Sequence, residues 1–170
     1  YTKGDYDRTD RDTGEKTAVS SDHRTALFES VENDDTTMAT LLLENGCDVT
    51  STDGDGCTPL YVAIDEGDRE AMCELLLGAG ASPDIGNADI GKDNTLLAWA
   101  ASRRRKDLVE LLLRHGADPN KPGKSGMTPL HMAARAGDKA VLASLVAAGA
   151  DPTTTCSTHS AGTGVTAVSY

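Results

Sequence analysis

Residues 128–138 read Thr-Pro-Leu-His-Met-Ala-Ala-Arg-Ala-Gly-Asp, and the apolar run that follows ends at residues 148–152 with Ala-Gly-Ala-Asp-Pro. This stretch predicts two short helices separated by its first glycine. Thr128 is a favourable N-cap, and Pro129 suits the first helical position, where its missing N–H costs nothing. Gly149 then ends the second helix in the manner of a left-handed cap.

The same pattern occurs four times along the chain. Each copy opens on a threonine, continues into an apolar second helix and closes on a glycine; the threonines are residues 25, 58, 95 and 128. Their spacings are 33, 37 and 33 residues, close to the period of about 33 residues of one class of repeat. A unit of this size cannot bury its own apolar faces, so we expect the copies to stack on one another.

The order of threonine turn, leucine triplet and closing Gly-Ala-Asp resembles the ankyrin repeat family over residues 22–152. The resemblance implies an all-α solenoid of stacked helix-turn-helix units with β-turn or hairpin fingers between them. We interpret residues 1–21 as a polar, charged N-terminal tail and residues 22–165 as the ankyrin array. Residues 166–170 are predicted to begin a truncated fifth repeat.

Composition agrees with a small helical array. The chain of 170 residues is 38% hydrophobic and 4% aromatic, and it has no apolar run long enough to insert into a membrane. Its four cysteines lack the spacing of a metal site. Cys47 and Cys73 fall at apolar positions and are predicted to lie in the core as free thiols. We therefore expect a reducing, cytoplasmic location, with no metal and no cofactor.

Charge is distributed unevenly along the array. Residues 1–100 hold 7 Lys and Arg against 22 Asp and Glu, a balance of −15, whereas residues 101–170 hold 9 against 5, a balance of +4. Such a field steers partners and sets their orientation. With a pI near 4.6, the chain is not expected to bind nucleic acid in bulk. Its four histidines are scattered and none has a nucleophile at a motif spacing, so we expect no enzymatic activity.

Two loops resemble ligand-binding motifs but fail at essential positions. Residues 51–56 alternate acids before a glycine as a calcium loop does, yet Val62 would stand where a bidentate glutamate is needed. Residues 86–93 match the glycine and lysine spacing of a P-loop, yet Asp93 replaces the Ser or Thr that holds magnesium. Both are interpreted as finger turns. The second belongs to a longer finger, residues 81–94, which is either a partner contact or a harmless insertion.

Three departures from the repeat pattern allow more than one interpretation. Glu29 replaces an apolar first-helix residue, which indicates a polar end cap or a docking point for the tail or a partner. Residues 103–106, Arg-Arg-Arg-Lys, are interpreted as a solvated turn, with a localisation signal or anion contact as the alternative. Trp99 is predicted to be core rather than an exposed anchor. His131 occupies the position where family resemblance implies a structural imidazole that ties the turn threonine to the backbone.

Function is inferred from the resemblance. It implies a non-enzymatic module that binds another protein through the concave surface of finger tips and first helices. The implied contact residues are Glu32, Asn33, Asp53, Asp55, Asp65, Glu66, Ser102, Arg103, Lys124, Ser125 and Arg135. The competing hypothesis is a targeting or structural arm of a larger enzyme or assembly.

Overall fold

A computed structural model describes residues 25–65, 67, 69–84, 95–123, 126–156 and 165–166. Within these ranges the chain forms eight helices and two short strands. The helices are α1 (Ala26–Glu32), α2 (Thr36–Glu44), α3 (Pro59–Asp65), α4 (Glu70–Gly78), α5 (Leu96–Ser102), α6 (Lys106–Arg114), α7 (Pro129–Ala136) and α8 (Lys139–Ala147). Each successive pair is one repeat, in which the odd-numbered helix is called the first helix and the even-numbered one the second.

Each first helix begins one residue after the threonine that opens its repeat, as the pattern predicts. The hydroxyl oxygens of Thr58 and Thr95 each accept a hydrogen bond from a backbone N–H in the first turn, at 3.2 Å in both cases. At the other end of the unit, Gly149 has φ +92°, and the Ala150 N–H donates to the Leu145 carbonyl at 2.9 Å. The predicted glycine cap of the second helix is confirmed.

The helices stack in two layers. First helices pack on first helices, α1 on α3 and α5 on α7, while second helices pack on second helices, α2 on α4 and α6 on α8. The leucine at the seventh position of three second helices is fully buried between these layers, namely Leu76, Leu112 and Leu145. The fold is therefore an all-α ankyrin-type solenoid whose core runs from one repeat to the next.

Arginines join neighbouring repeats at the C-terminal ends of first helices. The Arg69 guanidinium donates to the carbonyls of Val31 and Glu32, at 2.5 and 2.8 Å, and Arg104 donates to the carbonyl of Ala136. The last carbonyls of a helix have no partner within the helix. These side chains supply one from the adjacent unit.

Backbone hydrogen bonds close a turn in the first finger and in the third. The Asp53 N–H donates to the Cys57 carbonyl, and the Gly123 N–H donates to the Met127 carbonyl, both at 3.0 Å. After the fourth repeat, β1 (Thr155–Cys156) pairs antiparallel with β2 (Val165–Thr166). The predicted opening residue of the fifth repeat thus lies in a finger strand. The tail, the P-loop-like segment and most of the long finger lie outside the described residues.

Candidate protein-binding surface

One row of equivalent positions runs across the four first helices. Its members are the seventh residue after each opening threonine: Glu32, Asp65, Ser102 and Arg135. Asp65 and Arg135 are exposed, and Glu32 and Ser102 are half-buried. We call these four positions the first-helix row. Its charge changes from negative in the first two repeats to positive in the fourth.

The neighbouring row adds a second polar line beside it. Asn33 and Arg103 are exposed, whereas the side chain of Glu66 lies outside the described residues. The Arg103 guanidinium carbon lies 5.4 Å from the centroid of the Trp99 ring, which is a cation–π distance. Ser102 is anchored because its hydroxyl donates to the Trp99 carbonyl at 2.7 Å.

Trp99 also belongs to this surface, although it is not among the contact residues that the family resemblance implied. Its ring is half-buried against the core, as predicted, but one face also holds Arg103. Tryptophan and arginine are the residue types most often found at the energetic centre of protein interfaces. The sequence signal was present, because the two residues are four apart and therefore adjacent on one helix face.

Tyr61 lies near the carboxylate of Asp65, one of the two acidic residues of the first-helix row. Its side chain is buried. Burial raises the pKa of Tyr61, and the nearby negative charge of Asp65 raises it further. The phenol therefore stays neutral at physiological pH, so the negative charge here belongs to Asp65.

The first finger corrects one predicted contact. Asp53 was expected to face a partner, but it is only 7% exposed. Its Oδ1 accepts hydrogen bonds from the N–H groups of Asp55 and Cys57, at 3.0 and 2.8 Å. The carboxylate shapes the turn from inside, while Asp55 is exposed. Lys124 and Ser125, at the third finger, lie outside the described residues.

The side chains of the basic run 103–106 contact other residues as well as solvent. Arg103 covers the Trp99 ring, Arg104 bonds to the fourth repeat, and Lys106 pairs with Glu110 at 3.2 Å. The run lies at the surface between α5 and α6, as predicted, with Arg103, Arg104 and Lys106 exposed. Its side chains nevertheless contact other residues.

The described cysteines have the character of packing residues. Cys57 and Cys73 are buried, and Cys47 is half-buried against the core. Burial raises the pKa of Cys73 to about 11, so this thiol does not ionise at physiological pH. Across the described part of the chain, no group of three or more His, Cys, Asp or Glu side chains is arranged to hold a metal ion.

His131 has the structural role that the resemblance implies. It is fully buried, and its Nδ1 lies 2.8 Å from the Thr128 hydroxyl oxygen and accepts from the Thr128 N–H at 3.3 Å. The imidazole thus holds the turn threonine at the start of α7. This contact is an interaction typical of the repeat rather than of a catalytic site.

Comparison with known sequences agrees with this architecture. The model of a family described as ankyrin repeats (3 copies) matches residues 7–87 and 72–156. The chain belongs to the ankyrin repeat family. Ankyrin repeats are, in general, protein–protein interaction modules.

Several ankyrin proteins are similar in sequence. An ankyrin repeat protein of fowlpox virus is 33% identical over 61% of this chain and 17% of its own length. The ankyrin repeat, SAM and basic leucine zipper domain-containing protein 1 of Dasypus novemcinctus is 39% identical over 69% of this chain and 25% of its own length. The B-cell lymphoma 3 protein homolog of Mus musculus is 39% identical over 57% and 21%. The chain thus spans a quarter or less of the length of these curated relatives.

The helices offer no candidate for a bilayer-spanning segment. Among the described residues, no helix is both long enough and apolar enough to cross a membrane.

Proposed function

We propose that this ankyrin array binds another protein along the first-helix row, the adjacent Trp99–Arg103 pair and the exposed tips of the fingers, and that it does so without catalysis. The observation that carries the proposal is the row itself. The first helices of four successive repeats place the same register position at or near the surface, and leucines of the second helices are buried behind them. Residues displayed by a rigid scaffold are well suited to recognition.

The charge of the row defines the chemistry of the partner. A segment that lies along it meets Glu32 and Asp65 at one end and Arg103 and Arg135 at the other. A complementary partner therefore carries basic residues opposite the first two repeats and acidic residues opposite the last two. This polarity sets the direction in which the partner binds.

The same charges argue for a protein rather than a nucleic acid. Nucleic acids are bound by Lys and Arg side chains that neutralise phosphates, whereas the first two positions of the row are the carboxylates Glu32 and Asp65. The half-buried Trp99 ring, covered by Arg103, supplies the aromatic anchor that a protein interface favours.

Charge reversal combined with partner capture tests the proposal. The full chain, immobilised at one terminus, is compared with Asp65→Lys and Arg135→Glu for proteins retained from cell extract and identified by mass spectrometry. We expect the same partner to be lost from both variants, because they disrupt opposite ends of one contact. Its retention should recover when the partner's own charges are reversed to match.

Glu74→Lys provides the matched control. Glu74 lies on a second helix, and its side chain is 59% exposed, so it resembles Asp65 in charge and accessibility but not in position. The control should retain the partner. Retention of the same partner by Asp65→Lys and Arg135→Glu, or its loss from Glu74→Lys alone, would assign binding to another surface.

A further inference from the structure

The second helix of the first repeat exposes two apolar side chains. Met38 and Leu41 in α2 are 47% and 51% exposed, and their spacing of three residues makes them neighbours on one helix face. They are the third and sixth residues of α2. The third residues of α4, α6 and α8 are Met72, Leu108 and Val141, and all three are buried.

A contact at the other end of the array shows which way this face points. Ser144 is the sixth residue of α8, and its hydroxyl donates to the Glu110 carboxylate of α6 at 3.0 Å. The sixth position of a second helix therefore faces the preceding repeat. By the same register, Leu41 faces away from the second repeat, and α2 presents the kind of surface on which one helix of this array packs against another.

Carboxylates flank the apolar pair. Asp35, Met38, Leu41 and Glu44 follow one another at intervals of three residues. We call this line of four the α2 face. Its charge is part of a larger field, since residues 25–57 contain eight Asp and Glu and no Lys or Arg.

We propose that the α2 face is a second docking site, and that its occupant is a basic amphipathic helix of another protein. Apolar side chains of that helix pack on Met38 and Leu41, while its Lys or Arg residues contact Asp35 and Glu44. The packing continues the second-helix layer that joins α2 to α4 and α6 to α8. Recognition of an amphipathic helix requires this combination of an apolar stripe and complementary flanking charge.

Two other occupants lack the required charge. The chain's own residues 1–24 hold five Lys and Arg against six Asp and Glu, and the fourth repeat, residues 128–156, holds two against two. Neither the N-terminal segment nor the far end of a second copy therefore offers a positive surface to the carboxylates. A basic partner does.

This site is separate from the proposed concave surface. The first-helix row belongs to the odd-numbered helices, whereas the α2 face belongs to a second helix at one end of the array. Substitutions on the two surfaces therefore distinguish the two proposals, and failure of one leaves the other standing.

A pair of designed peptides tests the inference. The basic probe is a fluorescein-labelled helical peptide of about 18 residues with a leucine stripe flanked by lysines, and the acidic probe carries glutamates in place of the lysines. Each is titrated with the full chain by fluorescence anisotropy. We expect saturable binding of the basic probe, weakening with salt, and at least about tenfold weaker binding of the acidic one.

Variants locate the binding on the face. Leu41→Ser, which installs the residue that α8 carries at this position, and Met38→Gln should each weaken the basic probe by about tenfold. The combined Asp35→Asn and Glu44→Gln change should reduce both affinity and salt dependence, while Asn preserves the N-cap of α2. Unaltered far-UV circular dichroism and melting temperature confirm that each variant folds.

Val146→Ser is the matched control. Val146 is an exposed apolar residue of α8, 45% exposed, and it belongs to neither proposed surface. The variant should bind the basic probe as the parent does. Equal binding of the two probes, or unchanged affinity in both Leu41→Ser and Met38→Gln, would overturn the proposal.

Two further results would assign the face to a different occupant and also overturn it. One is a concentration-dependent dimer, seen by sedimentation, that Leu41→Ser abolishes. The other is an affinity for the basic probe that rises about tenfold in Val19→Asp, which replaces an apolar residue of the N-terminal segment by an acid. That rise would show that the N-terminal segment normally covers the face.

Discussion

The first and fourth repeats form the same helix pair with different polar support. In the fourth, His131 and Thr128 are hydrogen-bonded at the start of α7. In the first, Phe28 occupies the histidine position and is buried, and the buried hydroxyl oxygen of Thr25 has no partner among the described residues. The apolar positions therefore determine the helix pair, whereas the polar groups adjust its stability.

The largest expected difference between these repeats lies in the second-helix leucine layer. Leu145 is fully buried, whereas its equivalent Leu42, in the first of the four described repeats, is half-buried. Leu145→Ala should lower the free energy of unfolding by about 2–5 kcal/mol, because it leaves a cavity. Leu42→Ala should cost about half as much or less. Urea denaturation of both variants measures the difference, and equal losses would contradict the proposed exposure of α2.

The next difference concerns the turn histidine. His131→Phe copies the first repeat into the fourth and leaves the Thr128 N–H and hydroxyl without their imidazole partner, which should cost about 1–3 kcal/mol. A double-mutant cycle with Thr128→Val isolates the interaction. We expect the double variant to lose less stability than the two single losses combined. Strict additivity would show that the two side chains do not support each other.

The sequence anticipated the features whose causes are local. Thr128, Pro129 and Gly149 act within one turn of their own position, so residue type and spacing are sufficient to place the helix ends. Leucine spacing likewise predicted the buried layer, because helical periodicity decides which side chains face inward. This is why the fold follows from the repeat pattern.

Contacts between residues distant in the sequence could not be predicted in the same way. Arg104 donates to a carbonyl 32 residues away, whereas its position in a basic run indicated a solvated turn or, alternatively, a localisation signal or anion contact. Asp53 lies in a segment of acids and glycines typical of exposed turns, yet its carboxylate is turned inward by two backbone N–H groups. The candidate surface depends on such contacts and on a partner. The sequence alone therefore predicted which positions form the surface, but not which of their side chains are turned inward.

A third difference appears in the loops that follow the second helices. The Asn120 amide donates to the Gly149 carbonyl at 3.0 Å and accepts from the Asp151 N–H at 2.7 Å, which joins the third repeat to the fourth. The equivalent Asp84 accepts from the Asp118 N–H at 3.2 Å, but an ionised carboxylate cannot donate. In the first repeat the equivalent Thr50 bonds back to its own loop.

Exchange of these side chains should therefore have opposite effects. Asp84→Asn adds a donor and should stabilise the array by about 1 kcal/mol, while Asn120→Asp removes one and should destabilise it by a similar amount. Thermal melting at neutral pH provides the measurement. Two shifts of the same sign would indicate that charge, rather than the added hydrogen bond, dominates these loops.

The turn between the two helices offers a smaller contrast. Asp34 has φ +55° in the first repeat, and Gly137 has φ +72° in the fourth. A Cβ added at Gly137 would meet nothing within 4 Å, so only backbone strain opposes a side chain there. Asp34→Gly should stabilise by about 0.5–1 kcal/mol, and Gly137→Asp should cost a similar amount. Gly137→Ala should cost more, because Asp tolerates this conformation better than Ala; the reverse order in urea melts would contradict this explanation.

The smallest expected effect concerns an Asp–Thr hydrogen bond that the first and fourth repeats share in the loop after the second helix. The hydroxyl of Thr50 donates to Asp48, and that of Thr153 donates to Asp151, both at 2.7 Å, and the backbone N–H of each threonine donates to the same carboxylate. These hydrogen bonds, the hydroxyl ones first, lower the pKa of Asp48 and Asp151. A lowered folded-state pKa stabilises the fold above the unfolded value of about 4 and loses that contribution as pH falls through the folded value.

Asp48→Asn and Asp151→Asn should therefore each make the melting temperature fall less steeply between pH 5 and about pH 2 than it does in the parent. Because the two loops have the same bonds, the two changes should be similar, unlike the preceding contrasts between these repeats. Thr50→Ala and Thr153→Ala remove only the hydroxyl donor and should give part of the same effect. A flattened acid limb in one Asp variant but not in the other would show that the surrounding repeat, and not the local hydrogen bonds, controls this titration.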